Sequence, residues 1–133
     1  MAKKNHDLTG AEWEIVRAVW ENQPCAAPAV QEVLASRTGW SYSTVKTMMD
    51  RMVIKGLLKT EKIRNLTLYR AAITKKDAQK NEVLRTLKRA FDGALTPMMQ
   101  FLLENNLSHK QLEELEETIR KAKGHKSKVI SQK

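Results

Sequence analysis

The stretch from Trp40 to Ala72, WSYSTVKTMMDRMVIKGLLKTEKIRNLTLYRAA, constrains the fold more than any other part of the chain. Val45, Met48, Met49, Met52 and Val53 recur at i, i+3, i+4, i+7 and i+8, so they form one apolar stripe of a helix that needs a core to bury it. Ser43, Lys46, Thr47 and Asp50 keep the same spacing on the opposite side, with Thr44 and Arg51 flanking them. No core requires such a row of donors and acceptors, and it can read base edges. Gly56 then stops the helix, because glycine takes the left-handed C′ conformation without a Cβ clash. Leu58, Thr60 and Lys62 alternate with Lys59, Glu61 and Ile63, a polar turn falls at Arg64-Asn65, and Leu66 to Ala72 returns rich in β-formers. A helix with a polar outer face followed by a basic-tipped hairpin is the outline of a winged helix on duplex DNA.

Upstream, Thr9 and Glu12 have capping-box spacing, with Leu8 placed to staple onto Trp13. Trp13, Val16, Val19 and Trp20 share one face of the helix that follows, to about Asn22. Pro24 and the small residues after it break the chain. Pro28 suits a first helical position, and Val30, Val33 and Leu34 give the next short helix its apolar face. That helix ends near Thr38-Gly39, and Ser41, three residues before Thr44, caps the third. This is helix-turn-helix order. Three helices and a hairpin make residues 1–73 one small domain.

The composition changes after Ile73. Thr74 and Asp77 resemble a cap pair, and a long charged helix follows in which Leu84, Leu87, Phe91, Leu95, Met98 and Leu102 recur every three or four residues. Gly93 and Thr96-Pro97 interrupt it, which predicts two helices, the second starting with Pro97 at its first position. Ser108 and Gln111 open a last helix with Leu112, Leu115 and Ile119 on one side and a glutamate-rich face outside; Gly124 ends it. Residues 74–124 read as a helical domain and 125–133 as a basic disordered tail. Helices this short cannot bury their stripe alone, and a second copy of the chain is the simplest cover. The expected fold is mainly α with one small β-hairpin: a winged helix-turn-helix domain followed by a helical dimerisation domain.

Composition narrows the function. The chain of 133 residues carries a formal charge of +9, which favours a polyanionic partner. No apolar run approaches the roughly 18 residues of a membrane span, and no hydrophobic segment follows the N-terminal lysines, so a cytoplasmic protein without membrane insertion is expected. The single cysteine, Cys25, cannot form an internal disulfide, and His6, His109 and His125 lack metal-ligand spacing. Neither a metal nor a cofactor is expected. No nucleophile with a base, no carboxylate pair and no open metal site is visible, so the chain does not read as an enzyme. Trp13, Trp20 and Tyr69 read as core or hairpin packing.

Over nearly its whole length the sequence resembles the penicillinase-repressor family. The resemblance is carried by TGAEWEIVRAVW, by WSYSTVKTMMDRMVIKGLL, by the hairpin ending in Tyr69 and by QFLLENNLSHKQLEELEETI. It implies a winged helix, a helical dimerisation domain and repression at inverted-repeat operators. It also implies relief when a membrane sensor metalloprotease, or a protease it activates, cuts the dimerisation domain. In the β-lactam-responsive branch the cut falls between an asparagine and a phenylalanine, and the matching bond here is Gln100-Phe101. The copper-responsive branch uses C-terminal cysteines, which this chain lacks. Asp50 stands where relatives more often carry a neutral residue, which implies a different operator.

The expected function is therefore that of a homodimeric repressor binding a double-stranded inverted repeat. Ser41, Ser43, Thr44, Lys46, Thr47, Asp50 and Arg51 are the candidates on the recognition helix, and Lys59, Lys62, Arg64 and Asn65 on the wing. A winged helix used for RNA or protein contacts, without operator specificity, is the alternative.

Overall fold

The computed structural model describes residues 7–105 and 107–131, with side chains described at 7–104 and 107–125. His6 and residues 132–133 of the expected tail lie outside the described residues. The element order is α1 (Gly10–Asn22), α2 (Ala27–Thr38), α3 (Tyr42–Ile54), β1 (Leu58–Ile63), β2 (Leu66–Ala71), α4 (Lys75–Phe91), α5 (Leu95–Asn105) and α6 (His109–Ser131). The mainly helical fold with one hairpin is as expected.

Local chemistry sets most of these boundaries. At α1 the capping box is complete: Glu12 N–H donates to Thr9 Oγ1 at 3.1 Å, and Thr9 N–H donates to Glu12 Oε1 at 2.9 Å. Ser41 Oγ accepts from Thr44 N–H at 3.2 Å and starts α3. Gly56, at φ 85°, lets the chain leave α3 for β1. β1 and β2 pair antiparallel from Leu58↔Ala71 to Ile63↔Leu66, with Arg64 at φ 59° in the connecting turn. Cys25 adds a short third edge, exchanging both backbone hydrogen bonds with Tyr69 at 3.1 and 2.8 Å.

The core joins α1, α2, α3 and the hairpin. Ile15, Val16 and Val19 meet Val30 and Leu34, Val45, Met49 and Met52, and Leu57, Leu58 and Tyr69. Met48 and Val53 pack against it half-buried. Trp13 and Trp20 pack edge to face with centroids 6.1 Å apart, and Trp20 Nε1 donates to the Ile73 carbonyl at 3.0 Å. Both tryptophans therefore serve packing. Val33 does not join the core as expected and is 49% exposed. Ala27, Val30 and Leu34 supply the buried line of α2, and Val33 projects beside that line.

The chain divides into two compact units, one reaching to Arg85 and one starting at Thr86. The expected boundary at Ile73 is thus earlier than the break in packing. The start of α4 is tied to the first unit: Ala78 is buried, Trp13 Nε1 donates to Glu82 Oε1 at 3.3 Å, and the Arg85 guanidinium reaches the Leu8 carbonyl at 3.4 Å.

Within the second unit two expectations about helix ends need correcting. α4 does stop before Gly93, where Asp92 and Gly93 take φ 51° and 82°. However, α5 begins at Leu95, so Pro97 is its third residue and not its first; proline fits the whole first turn, whose N–H groups have no intrahelical acceptor. Ser108 and Gln111 cap α6 reciprocally at 3.2 and 2.9 Å. Gly124 does not end α6, whose described backbone continues to Ser131. Glycine costs a helix interior only about 1 kcal/mol, which a long helix tolerates.

Candidate nucleic-acid interface

The site is built on α3 and the hairpin. Burial of Val45, Met49 and Met52 turns the opposite face of α3 outward, and Ser41, Ser43, Thr44, Thr47, Asp50 and Arg51 are all exposed there. Ser41 Oγ also lies 3.2 Å from Ser43 Oγ and 3.1 Å from Thr44 Oγ1, so the three hydroxyls form one polar cluster at the start of the helix. On the hairpin, Lys59, Lys62, Arg64 and Asn65 are exposed.

Lys46 is held differently from the rest of the row. Its Nζ lies 2.9 and 2.8 Å from the two Asp50 carboxylate oxygens and 3.0 Å from the Tyr69 hydroxyl, which itself donates to Asp50 Oδ1 at 2.7 Å. The hydrogen bond to Asp50, then that to Tyr69, push the Lys46 ammonium above its ordinary range. The hydrogen bond from Lys46 holds the Asp50 carboxyl below its own. Both groups are charged at neutral pH. Burial pushes the Tyr69 phenol up, so it keeps its proton to donate.

Two features of this surface escaped the sequence reading. Tyr42, 46% exposed, stands one turn before Lys46 on the same line of α3; its i, i+4 spacing to Lys46 and Asp50 was the available signal. The contact of Tyr69 with Lys46 and Asp50 had no local signal, because it joins residues from different elements. Ile63 and Leu66, paired beside the Arg64-Asn65 turn, are about half exposed and add an apolar flank to the basic tip.

Cys25 is buried, and burial pushes its thiol above the ordinary range, which leaves it a small core residue. Among the described residues no group of three or more His, Cys, Asp or Glu side chains could hold a metal ion. None of the described helices is long and apolar enough to cross a membrane.

A capped helix-turn-helix whose third helix turns a polar face outward, closed by a basic-tipped hairpin, defines a winged-helix transcription regulator. The chain matches the penicillinase repressor family over residues 8–121 and belongs to it. It is 28% identical over 125 residues to the penicillinase repressor of Bacillus licheniformis, covering 93% of this chain and 98% of that one. A 16.5 kDa uncharacterised protein of Latilactobacillus sakei is 35% identical over 81 residues, 61% of this chain; the chain spans 56% of that protein's length. Among solved structures, the DNA-binding domain of the repressor BlaI superposes with a TM-score of 0.50 at 27% identity, covering 58% of this chain and 93% of that domain.

Proposed function

We propose that this protein is a homodimeric, cytoplasmic repressor that binds an inverted-repeat DNA operator. The coarser part, a DNA-binding transcriptional repressor, follows from the family. The observation that carries the reading is the polar face of α3 left exposed beside a hairpin with Lys59, Lys62 and Arg64 exposed, on a chain of net charge +9. Ser41, Ser43, Thr44, Thr47 and Asp50 face bases, while Arg51 and the wing residues contact phosphates. Phosphate contacts supply affinity and register, and base-edge contacts supply sequence.

The dimerisation surface is the apolar stripe of Leu84, Leu87, Phe91, Leu95, Met98 and Leu102 together with Leu112, Leu115 and Ile119. In the single chain Leu84, Leu95, Leu102 and Ile119 are exposed, and Leu87, Phe91, Met98, Leu112 and Leu115 are half-buried. Leu103, Leu112, Leu115 and Ile119 also line an open hollow of about 430 Å³ with His109, Glu113 and Glu116. Exposed apolar surface of this extent favours a partner of like character, and two reading helices related by a two-fold axis can reach half-sites about one DNA turn apart.

Relief of repression is assigned to cleavage of Gln100-Phe101 by a membrane sensor metalloprotease or a protease it activates. The test of the whole reading is a gel-shift titration with the inverted repeat upstream of the protein's own gene. Tight, salt-sensitive binding of that duplex over a scrambled one supports it. Equal affinity for both sinks operator specificity.

A further inference from the structure

The three hydrogen-bonded groups on α3 and β2 change which atom the reading helix offers to DNA. A lysine ammonium has three N–H donors and no acceptor. In Lys46 each donor has an acceptor within the protein: Asp50 Oδ1, Asp50 Oδ2 and the Tyr69 hydroxyl. An ionised carboxylate has about four lone-pair positions. Asp50 Oδ1 takes a hydrogen bond from both Lys46 and Tyr69, whereas Oδ2 takes one from Lys46 alone. What remains on this part of the surface is an acceptor, on a residue whose side chain is 51% exposed.

The acceptor is also held in place. Tyr69 is 1% exposed, and its backbone N–H and carbonyl are both bonded to Cys25. Its ring lies 5.7 Å from Lys46 Nζ. The hydroxyl is thus a fixed point on the hairpin that sets the orientation of a carboxylate on α3.

The geometry points to Asp50 as a specificity-determining residue that accepts the N4–H of a cytosine in each half-site, with Lys46 and Tyr69 as its positioning residues. In the major groove cytosine presents the N4 amino donor, and carboxylates are the side chains that accept from it. Adenine also presents a donor, but beside the N7 acceptor, which repels a carboxylate; guanine and thymine present acceptors there. The inference rests on the operator-binding reading and deepens it.

Selection of duplexes from a random pool by the full-length protein tests both. The wild type should enrich a motif with an invariant cytosine in each half, and replacing that cytosine should weaken binding roughly tenfold or more. Asp50→Asn should remove the preference at that position only. Lys46→Met should relax the cytosine preference and, by removing a positive charge, weaken all duplexes, and Tyr69→Phe should relax the cytosine preference without abolishing binding. If no motif is enriched, the operator reading fails and this inference with it. If a motif is enriched but the wild type tolerates loss of every cytosine, or Asp50→Asn leaves every position unchanged, the inference alone is overturned. The duplex scan uses only the wild-type protein, so it decides even if a variant does not fold.

Discussion

Lys55 Nζ lies 2.6 Å from Glu12 Oε2, joining the end of α3 to the first turn of α1 through a glutamate that is only 7% exposed. Burial raises the affinity of this carboxyl for a proton. The hydrogen bond and charge of Lys55, with the two hydrogen bonds to Thr9, outweigh it and leave the pKa below the ordinary 4.5. One side chain thus completes a helix cap and links the first helix to the third.

Glu12→Ala removes the cap and the pair together and should destabilise the winged-helix unit by about 2 to 4 kcal/mol, read by denaturant unfolding. Because the folded pKa is depressed, the contribution is present above the unfolded value and is lost as pH falls through the folded one. The wild type should therefore lose stability on acidification below about pH 5. Glu12→Gln, being uncharged throughout, should show a smaller loss over that range, and equal slopes for the two proteins would refute the assignment.

Arg51, Lys62 and Arg64 are exposed at the end of α3 and on the wing. Each changed to Ala should weaken operator and scrambled duplexes to a similar degree and shallow the logarithmic salt dependence by about one unit. Gel-shift titrations at several salt concentrations measure this. A change confined to the operator would move that residue from phosphate contact to base contact.

Thr47 carries a different expectation. Its exposed hydroxyl lies on the proposed base-reading face, so Thr47→Ala should cost operator affinity about 1 to 3 kcal/mol while non-specific binding changes less. Unchanged operator affinity would place the base contacts elsewhere on α3.

Leu87→Glu and Leu115→Glu place a charge on the proposed dimer stripe at half-buried positions. Dimerisation should weaken by about 3 kcal/mol or more. Analytical ultracentrifugation should show monomers whose winged-helix unit still melts cooperatively. A Leu87→Glu protein that stays dimeric would remove this helix from the interface.

The bond between Gln100 and Phe101 lies inside α5, an eleven-residue helix. Helices of that length are marginal without packing partners, and a protease acting here requires α5 to open locally. A chain truncated after Gln100 should keep a folded winged helix, lose dimerisation and bind the operator on the order of a hundredfold more weakly, because the linked second domain is gone. Full-length Phe101→Ala should resist processing in induced cells. Equal repression by truncated and intact chains would mean this bond is not the switch.

The elements of the winged helix could be read from residue spacing because their boundaries are local. Thr9 with Glu12, Ser41 with Thr44 and the positive φ of Gly56 are short-range devices, and burial of Val45, Met49 and Met52 follows from period alone. The exposed row on α3 was likewise determined by the sequence, since one buried face implies its opposite. Weaker local signals failed: Gly124 did not stop α6, Pro97 did not mark the first residue of α5, and Val33 stayed outside the core. Glycine and proline only bias a boundary, and burial also depends on what packs opposite. Tertiary structure alone decided that Lys55 meets Glu12, that Arg85 and Glu82 belong with the first unit, and that Tyr69 reaches across from β2 to hold Lys46 and Asp50. The row of polar residues was written in the sequence, but which of its atoms remain available was not. That depends on a hydroxyl twenty-three residues from Lys46, brought into contact only when the hairpin packs on the core.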